Sequence, residues 1–505
     1  MSEGSSHRQI LRSSTIIGGA SVANVVIGLL RNKLVAIMLG PAGVGLISLL
    51  QNLVGTASTL ASLGFGNVGT RQIAKAVSEK DDDDIAIARR ALFWGTLVLA
   101  LLGGGIFWLF RDVLAARVMD DPDAASTIGW LSIGVAINVA AGSQGALLTG
   151  MRRIGDLARV SVWSALLSTL IGLVALWVWR SEGLLTFVLS VPLASFLVGH
   201  FYVARLSKAR VTHAISLSAL FAQWRTLARL GAAFMVAGLA GTLSQLLVRM
   251  FVQQGLGAEA LGHFQAAWAI SMTYIGFVLA AMSTDYYPRL IAVVRDHSAM
   301  NRMVNEQTEV VLLLAGPAFV AMIGLAPWVI ELLYSNRFAE AATILRWQVL
   351  GDVIKIVSWP LAFIILAVGD GITYMLIESL AFAIFTLLTW VGLPLIGIEA
   401  TGIAFVGMYV VYLPVVFFLA RRRTDFWWTR RITVQLAIIS GFAVATFLGA
   451  LWSKWLGAGL GVGAAIALGA YGLGRLAHLA NLGGPLGKLA AFSRRVIVRA
   501  GAWHD

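Results

Sequence analysis

Fourteen long apolar stretches follow one another along this chain, most of them about twenty residues or more, the length a helix needs to cross the hydrocarbon core of a bilayer. They read as spans at 14–38, 43–64, 90–110, 125–149, 158–179, 184–204, 227–251, 261–284, 307–328, 343–367, 373–396, 399–420, 433–452 and 457–477. A membrane β-barrel is excluded, because its strands are alternating segments of about ten residues. Composition agrees. Hydrophobic residues make up 58% of the 505, charged residues 12%, and mean hydropathy is +0.83. Soluble domains carry about 25% charged residues, so this chain could not cover a water-facing surface.

Lys and Arg set the orientation of such a chain. With the N-terminus inside, 28 of the 38 fall in segments or at span ends on that side, six fall likewise on the opposite side, and four (Arg31, Lys33, Arg249, Lys355) lie deeper within spans. The net charge of +13 is therefore a topology signal, and nucleic acid is not needed to explain it. No loop is long enough for a soluble domain; the longest, 205–226 and 285–306, are amphipathic connectors. There is no cysteine, which excludes disulfides and thiolate chemistry. The seven histidines are scattered, without metal-ligand spacing. Gly64-Phe65-Gly66-Asn67-Val68-Gly69 fits a dinucleotide fingerprint by pattern only, since it follows a membrane helix and not a strand. The acidic run Asp81–Asp84 reads as a solvated helix start.

An internal repeat organises the spans. Leu30-Arg31 aligns with Val248-Arg249, and Leu39-Gly40 through Gly45 aligns with Leu256-Gly257 through Gly262 in one L-G-x-x-x-x-G frame. Arg71 aligns with Arg289, and the offsets are 217 or 218 residues throughout. Six spans separate the copies, so both have the same orientation. The fold class that follows is an all-α polytopic membrane protein: two pseudo-symmetric six-helix lobes around a central cavity, plus two extra C-terminal spans. The lobes are 1–204 and 227–420, joined by a cytoplasmic linker at 205–226; residues 421–505 hold the extra helices and a basic tail.

Cations inside a membrane are costly and mark function. Asn24, Gly28 and Arg31 share a face of the first span; Gly238, Thr242, Gln245 and Arg249 share one on the seventh. Gln348, Asp352, Lys355 and Trp359 form a polar stripe on the tenth, where Lys355 either lines a cavity or pairs with Asp352. Lys33 lies nearly opposite Arg31, and snorkelling to the interface is open for it. A cavity lined by such groups suits an anion, and guanidinium forks match phosphate or pyrophosphate. At about 4 Å and an effective dielectric near 20, each charge pair gains about 4 kcal/mol, which offsets the burial cost.

The residues also resemble a known family. The run from Leu30 to Leu46 (LRNKLVAIMLGPAGVGL) resembles the first-helix signature of Wzx-type O-antigen flippases, which belong to the multidrug/oligosaccharidyl-lipid/polysaccharide exporter superfamily. Leu247-Val248-Arg249, Gly262 to Trp268, Tyr287-Pro288, Leu333 to Phe338 and Leu345 to Asp352 are similar to further motifs of that family. The likeness covers residues 10–420. It implies movement of undecaprenyl-pyrophosphate-linked oligosaccharide from the cytoplasmic to the periplasmic leaflet of a bacterial inner membrane, by alternating access and without bond chemistry. On this resemblance Arg31, Arg249, Lys355 and Lys33 are cavity cations for the pyrophosphate. Asn24, Gln51, Gln144, Gln245, Gln265 and Asp352 are polar cavity residues, and Arg71 and Arg289 form a cytoplasmic gate. Both termini are cytoplasmic, no cofactor or metal is implied, coupling to H⁺ or Na⁺ stays open, and polysaccharide polymerase machinery is an expected partner. Many relatives have twelve spans, so the last two are a departure. A cation-coupled multidrug antiporter is the rival reading; a membrane polymerase or ligase would need a substantial outward loop, and the chain has none.

Overall fold

The computed structural model describes residues 3–79, 82–206 and 217–478. The basic C-terminal tail, residues 207–216 of the expected linker and the start of the acidic run lie outside the described residues. Fourteen α-helices are present among them: α1 (Glu3–Ala61), α2 (Phe65–Glu79), α3 (Asp82–Leu109), α4 (Arg111–Leu114), α5 (Ala125–Gly150), α6 (Ile154–Trp179), α7 (Leu184–Ala204), α8 (Leu217–Ala292), α9 (His297–Leu333), α10 (Ala341–Ala367), α11 (Gly371–Ile396), α12 (Glu399–Thr424), α13 (Arg430–Trp452) and α14 (Lys454–His478). Ten stretches among the described residues are long and apolar enough to span a membrane, and two of these, Ile16–Ala61 and Ile154–Ala204, each carry two of the expected spans. Spans seven and eight are the two parts of α8. The protein is a multi-pass membrane protein.

The repeat frame is a pair of helix breaks. Inside α1, Gly40 has φ 66 and ψ −167; inside α8, Gly257 has φ 83 and ψ 179. That region of backbone space is open to glycine almost alone. Pro41 follows the first break and cannot donate to the preceding turn. The second glycine of each frame has another task. A Cβ on Gly45 would stand 2.4 Å from the Ala258 carbonyl oxygen and 2.7 Å from the Gly262 nitrogen, and one on Gly262 would stand 1.9 Å from the Pro41 carbonyl oxygen. The two copies thus meet backbone to backbone just beyond their breaks, a close approach that small residues permit in membranes.

By contact the chain divides into two compact units, Met1–Gly262 with Leu333–Arg337, and His263–Leu332 with Phe338–Asp505. This boundary differs from the lobes drawn on sequence, because the first part of α8 packs with α1. Besides the glycine contacts, the Thr56 hydroxyl donates to the Thr242 carbonyl at 3.4 Å, and the Trp224 indole N–H donates to the Ala91 carbonyl at 2.8 Å. Part of the expected linker is helical as well, since α8 begins at Leu217.

In the first unit α5 packs on α3 and α7, and α6 packs on α1 and α7. Helix α2 has no counterpart in the sequence reading. Its buried residues Phe65, Val68, Gly69, Ile73 and Ala76 recur three or four apart on one stripe, and Arg71 is exposed on the other face. In the second unit α10 is the most enclosed of the candidate spans among the described residues; it is buried on every side, its polar stripe included, and packs on α12, α11 and α13. Asp370 caps α11, accepting from the Thr373 hydroxyl at 2.7 Å and the Thr373 backbone N–H at 3.1 Å, with the Arg423 guanidinium on the same carboxylate. These bonds, the Thr373 hydroxyl first, hold its carboxyl below the usual carboxylate range. Large apolar side chains stay exposed along α3 and α11, among them Phe93, Leu101, Leu109, Ile372, Leu387 and Leu395, which is how a lipid-facing surface looks.

Gly262→Ala should lower stability on the order of 1–3 kcal/mol, since backbone must move to admit the methyl, whereas Gly276→Ala, with nothing within 4 Å of its Cβ position, should be neutral or better. Thermal unfolding of both variants in detergent checks this; equal melting temperatures would refute the close approach.

Candidate functional site

Among the described residues two clusters of polar side chains lie within the spans, one in each unit, and their chemistry differs. In the first unit Arg31 occupies the part of α1 before the break and is half-buried. Its guanidinium lies 6.0 Å from the centre of the Phe187 ring on α7 and within electrostatic reach of Tyr334. Tyr334 is buried and hydrogen-bonded to Asn32, next to Arg31 in the chain. Among the described residues Arg31 makes no ion pair with a carboxylate. Two turns earlier on α1, the Asn24 amide donates to the Ser161 hydroxyl of α6 at 2.6 Å, while its own oxygen is buried without a partner.

The short segment that carries Tyr334 explains one of the sequence motifs. Leu333–Arg337 starts at the last residue of α9, yet it belongs to the first unit by contact. Arg337 lies across the α1 break, its Nη1 3.1 Å from where a Gly40 Cβ would stand. The motif therefore covers the non-helical backbone at Gly40 and places an aromatic hydroxyl beside the cation.

Arg249, at the equivalent point of the repeat, is 4% exposed. Its Nη1 donates to the Gln245 carbonyl one turn earlier at 3.0 Å. Gln144 on α5 is half-buried, with its side-chain oxygen lacking a partner and packed against Gly199. Gln51 and Lys33 are half-buried on α1. The structure thus assigns Asn24, Arg31, Lys33, Gln51, Gln144, Gln245 and Arg249 to one unit, whose intramembrane charges among these are all positive.

In the second unit the charges are mixed. Asp352 on α10 is 0% exposed, and its Oδ2 accepts from the Ser271 hydroxyl at 2.8 Å and from the Tyr274 hydroxyl, both on α8. Its Oδ1 has no partner, nor does either end of the Gln348 amide one turn earlier. Lys355 does not form the close local pair with Asp352 that helical spacing allows. It faces the rings of Phe405 and Tyr409 on α12, each 5.8 Å away, within electrostatic reach of Asp352 and of Glu378 on α11. Glu378 in turn accepts from the Tyr412 hydroxyl. Gln265 is half-buried on α8, and Arg289 is exposed near the end of that helix. Lys355 is thus charge-balanced inside its own unit, unlike Arg31.

Sequence reasoning missed Phe187, Ser271, Tyr274 and Tyr412. Ser271 and Tyr274 stand three apart on α8 and present two hydroxyls to one face, a readable signal; the pairing of Tyr412 with Glu378 joins two helices and leaves no local pattern.

A family described as polysaccharide biosynthesis protein matches residues 34–343 of the chain. The lipid III flippase of Escherichia coli (strain K12) is 24% identical over 425 residues, covering 82% of this chain and 99% of that protein; the lipid III flippase of Shigella flexneri aligns with the same figures. Among solved structures, the lipid II flippase MurJ in an inward closed conformation superposes with a TM-score of 0.70 at 13% identity, over 90% of this chain and 98% of that one. An inward-facing multidrug resistance MATE family transporter of the MOP superfamily gives a TM-score of 0.65 at 17% identity, over 80% and 94%. The fold is shared with both.

Tyr274→Phe should cost about 1–3 kcal/mol of stability, because it withdraws a hydrogen bond from a buried carboxylate that already lacks one. Unfolding in detergent reads this directly; an unchanged midpoint would show that Asp352 does not depend on the hydroxyl.

Proposed function

The chain belongs to the polysaccharide biosynthesis protein family, and from that membership together with the cations of its first unit we propose that it moves a lipid-linked oligosaccharide across the membrane. The substrate is an undecaprenyl-pyrophosphate-linked unit, an O-antigen repeat or a related glycan, carried from the cytoplasmic to the periplasmic leaflet of a bacterial inner membrane. Both termini are cytoplasmic in this reading. The six-helix lobes 1–204 and 227–420 are the bodies whose rocking alternates access. No bond is made or broken.

The observation that carries the proposal is Arg31: a guanidinium in a membrane span, with an aromatic ring and a tyrosine hydroxyl beside it and no carboxylate paired with it among the described residues. Such a group keeps its forked donors for a diphosphate. Arg249 is its counterpart in the repeat. Asn24, Gln51, Gln144 and Gln245 supply amides that match sugar hydroxyls without fixing one glycan. With the cell interior negative, moving a charge of −2 outward across the full potential is favoured by about 4.6 kcal/mol per 100 mV.

The second unit gives the rival reading its one specific support, because a cation-coupled antiporter requires carboxylates within a lobe, and Asp352 and Glu378 are such groups. Lys355 within reach of both reduces their pull on an organic cation. We assign the Asp352–Lys355–Glu378 group to ion coupling, with H⁺ or Na⁺, and the arginines to the cargo.

Glycan export measured in cells at matched protein levels separates the readings. Arg31→Ala and Arg249→Ala should each reduce export by at least about tenfold, as expected when one member of a desolvated charge pair is lost, and Arg31→Lys should restore part of it. Undiminished export in both alanine variants, with drug resistance abolished by Glu378→Gln, would replace the flippase by the antiporter.

A further inference from the structure

The second unit carries a groove that neither cluster uses. It runs between α9, α13 and α14, has a volume of about 510 Å³, and is walled by Leu312, Pro317, Val434, Ile438, Phe442 and Leu468. Val434, Ile438 and Phe442 are exposed, so the groove opens to the lipid side of these spans. At one end it is lined by Arg430 and Arg431, and both arginines also line a second, polar depression of about 850 Å³. That cup is lined also by Asn301, Asn305 and Thr429. An apolar slot thus leads past two guanidiniums into a polar cup.

Charge at the junction is settled by named groups. The carboxylates around the cup are Glu306, Glu309 and Asp425. Glu309 is held by Arg475 of α14 at 3.0 Å and more loosely by Arg431 at 3.6 Å. Arg302 also lines the cup, and Arg430 makes no ion pair among the described residues. Four guanidiniums against three carboxylates leave one positive charge in excess, centred where groove and cup join.

Gln435, one turn below Arg431 on α13, lines the groove and is 5% exposed. Its Nε2 lies 3.4 Å from the Tyr471 hydroxyl, and its Oε1 has no partner. The two ends of an amide are interchangeable in shape. Turned over, the amide accepts from Tyr471 and leaves an N–H for the groove. In either orientation one end of a buried amide is unsatisfied by protein, a deficit that a ligand can remove.

We propose that this groove and cup seat one anionic glycerophospholipid, with its phosphate on Arg430 and Arg431, an acyl chain in the groove, an ester carbonyl on the Gln435 amide and a polyol headgroup in the cup. The ester sets this lipid apart from a prenyl diphosphate, which has the anion and the apolar tail but no carbonyl for Gln435. Such a lipid would bridge α9 to α13 and α14.

The test is native mass spectrometry of the purified full chain in detergent with defined lipids. Dioleoylphosphatidylglycerol should be retained over dioleoylphosphatidylcholine by about tenfold, on the scale of one or two lysine or arginine contacts to an anionic lipid. R430Q/R431Q should abolish the preference and R430K/R431K should keep it. The wild-type chain should retain the ester lipid better than its ether-linked analogue, and Gln435→Leu should remove that difference. Equal retention of the two dioleoyl lipids, or a preference unchanged in R430Q/R431Q, overturns the proposal. So does one-for-one displacement of phosphatidylglycerol by geranylgeranyl diphosphate, which would give the groove to a prenyl chain. The wild-type comparisons of headgroup and of ester against ether decide the matter even if a variant fails to fold.

Discussion

A bilayer supplies no water to backbone groups, so a chain that crosses it must satisfy every N–H and C=O from within. Continuous helices do this at no further cost. The breaks at Gly40 and Gly257 do not, and the architecture around them follows from that debt. The chain crosses Gly40 under the guanidinium of Arg337. A few residues past each break, Gly45 and Gly262 let the two copies of the repeat touch through backbone atoms. A side chain at Gly45 or Gly262 would separate surfaces that hydrocarbon would then have to fill.

The second organising force is the separation of charge chemistry between units. The first gathers positive charge and neutral amides, with Tyr334 and Phe187 near Arg31 as polarisable neighbours. The second balances Lys355 against Asp352 and Glu378 and lets hydroxyls of Ser271, Tyr274 and Tyr412 hold the acids. Arginine and lysine are not equivalent in these settings. A guanidinium spreads its charge over a planar fork that can grip a doubly bonded anion, while an ammonium is a point charge suited to compensating a nearby acid.

Much of the fold is legible in the sequence because apolar length is a one-dimensional signal. The spans were readable by counting, and the repeat by aligning Leu39–Gly45 with Leu256–Gly262. Helix α2 escaped because its stripe of five buried residues is mixed with Asn67, Arg71 and Lys75, which lower its hydropathy to that of a loop. Arg31 and Arg249 stood out, being charges where charge is rare. Their neighbours did not. The contact of Tyr334 with Arg31 spans some three hundred residues of chain, and the hydroxyls on Asp352 come from another helix. Lys355 shows the limit of helical spacing: three residues from Asp352 suggests a local pair, yet the side chain turns to Phe405 and Tyr409 instead.

Helices α13 and α14 look like an appendix in the linear sequence, but α9 is built around them. The Asn305 side chain accepts from the Thr429 backbone N–H and donates to the Trp427 carbonyl, and Glu309, one turn on, is clasped by Arg475 and Arg431. A chain cut short after residue 424 would strip the counter-charges from that glutamate and strand a buried amide, while leaving the twelve preceding spans intact in sequence. The last two helices are therefore integral to the body that carries them, and shortening this protein to the length of a twelve-span relative would call for rewriting the surface of α9.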